Sequence, residues 1–295
     1  MTAFLYAGDC ADLAPHFADC DVQISDLPYR AHVHAAATSQ SAAGGTRLRD
    51  LGFASISATL LDVAALAAAR VRRWSLLYSD VESTGNVRET CEAAGSQYIR
   101  IIPWVRWSMP NLTGTMPPQG WEALTVLHSK DGKKNRPKAW NGGGNLLCLG
   151  HDVCEEAAPD LPGLAHTCLR GSNKHATEKP LDQALDLVSW FSNPGETVLD
   201  ITAGRATTAI ACILLGRHFV GAENNPAEYV QATERIVKAE QGKLSERDTE
   251  RLVRYFEACK ADYDHIAATK TFTEPAREKA ERRMVDARKA ASHLR

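Results

Sequence analysis

Short apolar runs alternate along this chain with segments that favour helix, and this alternation restricts the fold more than any other feature. Seven runs have the length and the β-branched or aromatic content of strands: 4–8, 22–25, 74–79, 98–105, 123–129, 197–201 and 218–223. Helix-favouring segments lie between several of them, at 55–73, 86–95, 180–195 and 205–216. We therefore predict an α/β protein whose mostly parallel, seven-stranded sheet is covered by helices on both faces.

Two segments depart from this alternation. Residues 130–175 are rich in Gly, Pro, Asn, Lys and His without a sustained period, and they predict a loop-rich insert. Residues 243–295 are charged and helix-favouring, and they predict a tail of two helices broken near Thr269–Pro275. Their mixed charges favour self-association, for example as a homodimer, or packing on the main domain. The chain then divides into four parts: 1–129, 130–175, 176–242 and 243–295.

The composition is that of an ordinary globular protein. Of the 295 residues, 44% are hydrophobic and 24% are charged, and no apolar run reaches the length of a membrane span. The opening MTAFLYAGD lacks a basic segment followed by an apolar stretch, so we expect a cytoplasmic protein. The eight Cys form no regular framework, which favours reduced thiols. With a net charge of -2, a nucleic-acid partner would have to be held by a local basic patch.

The strongest chemical signal is a strand, a turn and a second strand in the C-terminal half. The first strand ends in Asp200, a small-residue turn follows at Ala203–Gly204, a helix begins near Thr207–Thr208, and the second strand ends in Glu223. Ligands of parallel sheets lie outside the carboxyl ends of the strands, where an acid can bind ribose hydroxyls. The pyrophosphate fingerprint of dinucleotide sites is missing, because the turn holds one Gly. S-adenosylmethionine fits better, since it has no pyrophosphate and its cationic amino group suits Asp200.

A second set of motifs precedes this site. Leu5–Cys10 reads LYAGDC, Asp26–Tyr29 reads DLPY at the end of a strand, and Glu178–Pro180 reads EKP. Together with DITAGRATT at 200–208, this ordered set resembles the amino-group DNA methyltransferases of the β class over residues 4–237. That family carries LYxGDC, the catalytic DPPY, a target-recognition insert, QKP and DPFxGSGTT in this order. The resemblance implies a Rossmann-like methyltransferase fold with permuted motif order, S-adenosylmethionine as cofactor and double-stranded DNA as partner.

The resemblance also implies roles for particular residues. Asp26 and the backbone carbonyl of Leu27 would hold the two hydrogens of the target amine, Pro28 would stiffen the corner, and Tyr29 would stack on the flipped base. The run after Tyr29 would then be a loop that closes over DNA. Residues expected to bind the cofactor are Asp9, Cys10, Lys179, Asp200, Thr202, Ala203, Gly204, Thr207, Thr208, Glu223 and Asn224. Residues expected to meet DNA phosphates are Arg30, Arg47, Arg49, Lys130, Lys133, Lys134, Arg136 and Lys138.

The sequence departs from the family pattern at several positions. Leu27 replaces the first Pro of the tetrapeptide, where a backbone contact is expected. In the cofactor turn, residues with different shapes replace the Pro, the Phe, the Ser and the second Gly: Ile201, Thr202, Arg205 and Ala206. Ala206 does not freely take left-handed angles, which bears on cofactor affinity.

The Asp form of the tetrapeptide favours adenine N6 as the methyl acceptor. The alternatives are cytosine N4, or a DNA-binding protein on the same fold that no longer catalyses. One group of thiols and imidazoles allows either a zinc site or reduced Cys and polar His, and we assign no metal to it: Cys148, His151, Cys154, His166 and Cys168.

Overall fold

A computed structural model describes the chain over 3–30, 55–105, 121–129, 178–269 and 273–294, with only the backbone at 39–42 and 45–48. Its main element is the seven-stranded sheet that the apolar runs predict. Its strands are β1 (Ala3–Ala7), β2 (Val22–Asp26), β5 (Trp74–Ser79), β6 (Ser96–Val105), β7 (Trp121–Ser129), β8 (Thr197–Asp200) and β9 (His218–Glu223). Two further strands, β3 (Ser39–Ala42) and β4 (Gly45–Leu48), form a separate antiparallel pair.

The strands of the sheet follow the order β1-β9-β8-β2-β5-β7-β6. The first four pairings in this order, β1 with β9, β9 with β8, β8 with β2 and β2 with β5, are parallel. In contrast, β7 runs antiparallel to both β5 and β6. This confirms the predicted α/β fold with a mostly parallel sheet. Because β9, β8 and β2 are parallel neighbours, their carboxyl ends meet at one edge of the sheet.

The helices begin and end close to the predicted positions. Their bounds are α1 (Ala58–Arg70), α2 (Thr84–Ala94), α3 (Leu181–Phe191), α4 (Thr207–Leu215), α5 (Pro226–Glu240), α6 (Glu246–Ala268) and α7 (Glu274–Ala291). The sequence reasoning did not single out α5, although Asn225 caps it and Pro226 occupies its first turn. A 3-10 helix at Cys10–Asp19, capped by Asp9, was not predicted either.

The sheet buries a separate apolar core on each face. One core contains side chains of the 3-10 helix, α1 and α2, such as Phe17, Leu61 and Val87. The other contains α3, α4 and parts of the tail helices, such as Leu185, Ile210 and Met284. Every residue of α3 and of α4 is buried, because the sheet covers one side of these helices and further helices cover the other.

The tail helices pack on the main domain, one of the two arrangements that their charge pattern favours. Buried ion pairs fasten them there. The guanidinium of Arg217, just before β9, donates to both carboxylate oxygens of Asp286 on α7 at 2.9 Å. Arg283 of α7 lies 2.7 Å from Asp186 of α3, and Arg251 of α6 lies 3.2 Å from Asp182.

The run after Tyr29 is not wholly a loop. It contains the β3–β4 pair, in which Ala42 lies opposite Gly45 and Gln40 opposite Arg47. The loop prediction failed here because these strands are built from weak strand formers such as Ser and Gln, so they give no apolar signal. The insert at 130–175 lies outside the described residues. Among the residues that are described, no helix is both long and apolar enough to cross a membrane.

Candidate cofactor and amine site

Three carboxylates end three adjacent strands at one edge of the sheet. Asp26 ends β2, Asp200 ends β8 and Glu223 ends β9. The ends are tied together by hydrogen bonds: the N–H of Ile201 donates to Ser25 Oγ at 3.1 Å. At the next strand, the N–H of Gly8 donates to the carbonyl of Glu223 at 3.0 Å. The sheet therefore brings the tetrapeptide and the cofactor turn to the same place.

The turn after β8 is tight and lies against β9. The N–H of Ala203 donates to the carbonyl of Ala222 at 3.0 Å, and the N–H of Gly204 donates to Glu223 Oε2 at 2.8 Å. Ala206, the residue before α4, has φ 60° and ψ 34°, which is the left-handed region. The fold thus imposes on an alanine a conformation that glycine adopts more readily.

Asp200 is buried at the start of this turn. Its Oδ1 accepts from the N–H of Thr202 at 3.1 Å. Burial raises the pKa of Asp200 to about 7; hydrogen bonds from Thr202 and Thr208 lower it, and the charge of Asp26 raises it. An acid with such a pKa favours a nearby cation, because a positive charge stabilises its ionised form.

Glu223 uses both carboxylate oxygens on backbone donors. Besides Gly204, the N–H of Asn225 donates to Oε1 at 2.7 Å. Burial raises the pKa of Glu223, and the backbone donors oppose that shift. Each carboxylate oxygen has a second lone pair, so Glu223 can still accept hydrogen bonds from ribose hydroxyls.

Backbone hydrogen bonds anchor the tetrapeptide on both sides. The N–H of Leu27 donates to the carbonyl of Tyr78 at 3.2 Å, and the carbonyl of Tyr29 accepts from Ile56 at 3.1 Å. The Leu27 side chain is buried in the core, whereas Pro28 and Tyr29 are half-buried. A leucine in place of the family's proline therefore adds apolar packing at a corner that the backbone still holds.

The ammonium of Lys179 lies between two carboxylates. Its Nζ is 2.7 Å from Asp26 Oδ2 and 3.3 Å from Glu122 Oε2. Burial alone would lower the pKa of Lys179, but the two carboxylates outweigh it and leave the pKa raised. The sequence reasoning placed Lys179 with the cofactor and missed Glu122. The available signal for Glu122 was an acidic residue directly before the apolar run 123–129.

The other candidate cofactor residues surround the same edge of the sheet. Asp9 caps the 3-10 helix through a hydrogen bond from Ala11, and the buried thiol of Cys10 has its pKa raised to about 12 by burial. Asn224 is exposed beside Glu223. Thr207 Oγ1 lies 3.3 Å from Glu178 and 3.2 Å from the guanidinium of Arg235.

Arg235 of α5 was not predicted as part of the site. Its guanidinium lies 2.8 Å from Glu178 and 2.6 Å from Asp248 of α6, and it donates to the carbonyl of Arg205 at 2.9 Å. It thereby joins the cofactor turn, the segment before α3 and the tail. Arg205 itself pairs with Glu228.

Of the candidate DNA contacts, Arg30 alone has a described side chain. Its Nε lies 3.2 Å from Asp80 Oδ1, and its Nη2 lies 3.0 Å from Glu82 Oε2. These two ion pairs connect the tetrapeptide to the end of β5. For Arg47, only the backbone in β4 is described. The remaining candidates lie outside the described residues: Arg49, Lys130, Lys133, Lys134, Arg136 and Lys138. The Cys and His of the possible zinc site, at 148–168, also lie outside them.

Comparison with known proteins shows what this chain is similar to. The N6/N4 family model described as DNA methylase matches residues 91–235. Type II methyltransferase M.HindIII of Haemophilus influenzae is 28% identical over 135 residues, 45% of this chain and 44% of the relative. DNA adenine methyltransferase YhdJ of Escherichia coli is 33% identical over 101 residues, 34% of this chain and 31% of the relative. The matched stretches thus span less than half of either curated relative.

The fold is similar to a solved methyltransferase structure. The crystal structure of the M1.HpyAVI–SAM complex aligns with a TM-score of 0.57 at 20% identity, covering 79% of this chain and 98% of that one. Sheet order and structural likeness together define an α/β methyltransferase fold. Within that class, the sequence of residues 91–235 is similar to the N6/N4 DNA methylase family, in agreement with the motif resemblance.

Proposed function

We propose that this protein transfers a methyl group from S-adenosylmethionine to the N6 amine of adenine in double-stranded DNA. The observation that carries the proposal is the position of Asp26. It ends β2, the neighbour of the strand that leads into the cofactor turn, and its backbone is fixed by the hydrogen bond between Leu27 and Tyr78. A carboxylate and a backbone carbonyl held there can accept the two hydrogens of an exocyclic amine.

The residues of the turn fit this cofactor. The hydroxyl oxygen of Thr202 is buried and has no hydrogen-bond partner among the described residues. A Cβ added at Gly204 would meet no atom of the described residues within 4 Å, so those residues leave space beside the turn. Asp200 suits the cationic amino group of the cofactor, and Glu223 suits its ribose. Ala206 keeps the turn geometry despite the substitution, which supports a working cofactor site over a degenerate one.

The chemistry depends on positioning the amine. Its lone pair is delocalised into the ring, and two fixed acceptors help to localise it toward the methyl donor. S-adenosylmethionine supplies an electrophilic methyl: the amine forms the new N–C bond, the pair of the broken C–S bond stays on sulfur, and one amine proton is released to water. A half-buried Tyr29 beside Asp26 is suited to stack on a base flipped out of the duplex.

Two further assignments belong to this proposal. The family methylates adenine N6 or cytosine N4, and we favour adenine because the tetrapeptide begins with Asp and because YhdJ is named as an adenine enzyme. The DNA would be held in part by the basic run of the insert, whose cations would neutralise phosphates: Lys130, Lys133, Lys134, Arg136 and Lys138.

The proposal is tested with Asp26→Ala and a surface control, Glu92→Ala. Glu92 forms an exposed ion pair with Arg88, so its loss leaves the stability almost unchanged. We expect Asp26→Ala to abolish methyl transfer to DNA while S-adenosylmethionine still binds in calorimetry, and Glu92→Ala to retain both. Near-normal transfer by Asp26→Ala would refute the assigned role.

A further inference from the structure

A buried cation joins three distant parts of the chain beside the proposed amine site. Lys179 lies two residues before α3, Asp26 ends β2, and Glu122 lies near the start of β7. The ammonium is within 2.7 Å of Asp26 Oδ2 and 3.3 Å of Glu122 Oε2. The side chain of Lys179 is 14% exposed and that of Glu122 is 9% exposed, whereas Asp26 is 31% exposed. Asp26 therefore has the most exposed side chain of the three.

Two aromatic rings complete the surroundings of the ammonium. Its Nζ lies 4.9 Å from the centre of the Tyr78 ring and 5.5 Å from that of Trp104. Both rings are buried, and their faces attract a cation more strongly when water is excluded. The rings and carboxylates together keep Lys179 protonated in a place where burial alone would favour the neutral amine.

We propose that Lys179, backed by Glu122, is a positioning residue that fixes the orientation of Asp26 and keeps it ionised for the target amine. This inference rests on the proposed methyl transfer and changes one part of the motif-based expectation, which gave Lys179 to the cofactor. An aspartate carboxylate can turn about its Cα–Cβ and Cβ–Cγ bonds, and the contact between Oδ2 and the Lys179 ammonium restricts both rotations. With Oδ2 held by the Lys179 ammonium at 2.7 Å, the orientation of the Asp26 carboxylate at the end of β2 is fixed.

Glu122 gives the cluster its net charge. Two carboxylates around one ammonium leave one net negative charge, and this charge faces the position of the amine through Asp26. The amine gains positive charge as its N–C bond forms, so a net negative cluster stabilises that change. Without Glu122, Lys179 would neutralise Asp26 and cancel this contribution.

Other titratable groups lie close to the cluster. Asp200 interacts with Asp26, and Tyr78 interacts with Asp26, Glu122 and Asp186. Asp186 is itself paired with Arg283. If Lys179 becomes uncharged, no ammonium offsets the charges of the carboxylates of Asp26, Glu122 and Asp200. Their repulsion raises their pKa values, so the cluster retains a proton up to a higher pH.

The test compares the wild type with Lys179→Met, Lys179→Arg and Glu122→Gln. The matched control is Arg251→Met, which removes another buried cation next to α3 without touching Asp26. Single-turnover methyl transfer is measured from about pH 5.5 to 9 at saturating S-adenosylmethionine. We expect Lys179→Met to lose about 100-fold in rate or more near neutrality, and its acid limb to move up by about one pH unit or more.

The other variants separate positioning from a structural role. Lys179→Arg keeps the charge and should restore part of the rate with a wild-type pH profile. Glu122→Gln should lower the rate less than Lys179→Met. Arg251→Met should melt at lower temperature but keep the wild-type pH profile. The affinity of Lys179→Met for S-adenosylmethionine, measured by calorimetry, should stay within about threefold of the wild type, since the contact proposed is with Asp26.

A measurement without turnover keeps the inference separate from the proposed function. Aspartate labelled with ¹³C at Cγ reports each carboxyl by NMR, and Asp26→Asn identifies the signal of Asp26. We expect this signal to titrate about one pH unit or more higher in Lys179→Met than in the wild type. An unchanged titration would overturn the inference, and so would a tenfold or greater loss of cofactor affinity. A wild type with no methyl transfer but the expected titration would refute the proposed function alone.

Discussion

The carboxylate of Glu223 at the end of β9 accepts a hydrogen bond from the backbone N–H of Gly204, with 2.8 Å between nitrogen and Oε2. Its other oxygen accepts from the N–H of Asn225. One side chain therefore holds the turn after β8 against the next strand and also faces the proposed ribose position. The turn and its acid act as one unit, and a change in the acid affects both.

Loss of this acid should weaken cofactor binding. Glu223→Ala removes a charge-assisted acceptor, so we expect the affinity for S-adenosylmethionine to fall by roughly 1.5–3 kcal/mol, or one to two decades. Glu223→Gln keeps an acceptor oxygen and should lose less. Calorimetry measures both, with Glu240→Ala at the exposed end of α5 as the control. Unchanged binding by Glu223→Ala would place the cofactor elsewhere.

The buried Asp200 should make cofactor binding depend on pH. Its pKa is raised from 3.8 to about 7, so a cationic ligand that needs the ionised form has to displace a proton at lower pH. We expect the affinity to be constant above about pH 7 and to fall by up to tenfold per pH unit below it. Asp200→Asn should bind more weakly and lose this dependence. Equal wild-type affinity at about pH 5.5 and 8 would contradict the assignment.

The same shift has a consequence for the protein without ligand. Between about pH 4 and 7 the folded state holds a proton on Asp200 that the unfolded chain has lost, so the free energy of unfolding falls as pH rises through this window. Above about pH 7 both states are ionised and this contribution is constant. Asp200→Asn removes the buried charge and should melt at a higher temperature than the wild type at about pH 8, with the difference vanishing toward about pH 4.

The position of the site followed from the sequence because it depends on strand ends. Asp26, Asp200 and Glu223 each close an apolar run, and parallel neighbours bring their carboxyl ends together whatever the loops do. The break between the tail helices was also predictable. The helices end at Ala268 and begin again at Glu274, where a Pro follows at the first turn.

The side-chain contacts could not be predicted, because they join residues far apart in the chain. Lys179 and Asp26 are separated by 153 positions, and nothing local to either predicts that an ammonium should contact the carboxylate of the tetrapeptide. Arg235 likewise contacts Glu178 from 57 positions away. Such pairs depend on how helices pack on the sheet, which a pattern of strands and helices does not specify.

Ala206 should tolerate glycine, unlike its helical neighbours. Its left-handed φ of 60° strains any residue with a Cβ, and relief of that strain offsets the buried methyl and the chain entropy that Ala206→Gly loses. We expect the free energy of unfolding to change by less than about 1 kcal/mol. Ala209→Gly, inside α4, should cost about 2 kcal/mol, since a methyl and helix propensity are both lost. Urea unfolding measures both variants. An equal loss in their free energies of unfolding would contradict the proposed strain at Ala206.

Arg235 should stabilise the turn and the tail together. Breaking a buried ion pair by removing one partner costs about 3–5 kcal/mol, and Arg235 is partly exposed, so we expect Arg235→Met to lose about 3 kcal/mol. It should also weaken S-adenosylmethionine binding through Arg205 and Thr207. Lys238→Met, which breaks an exposed pair with Glu234 on the same helix, should lose about 0.5 kcal/mol or less. Urea unfolding measures both variants, and an equal loss in their free energies of unfolding would refute the stabilising role of Arg235.

The central claim is that Asp26 positions an adenine amine for methyl transfer. The most direct measurement incubates mixed-sequence double-stranded DNA with the protein and S-adenosylmethionine, and then identifies the modified nucleosides by mass spectrometry. We predict N6-methyladenine with the wild type and no methylated nucleoside with Asp26→Ala. N4-methylcytosine alone would contradict the choice of base, and the absence of any methylated nucleoside with the wild type would contradict the activity itself.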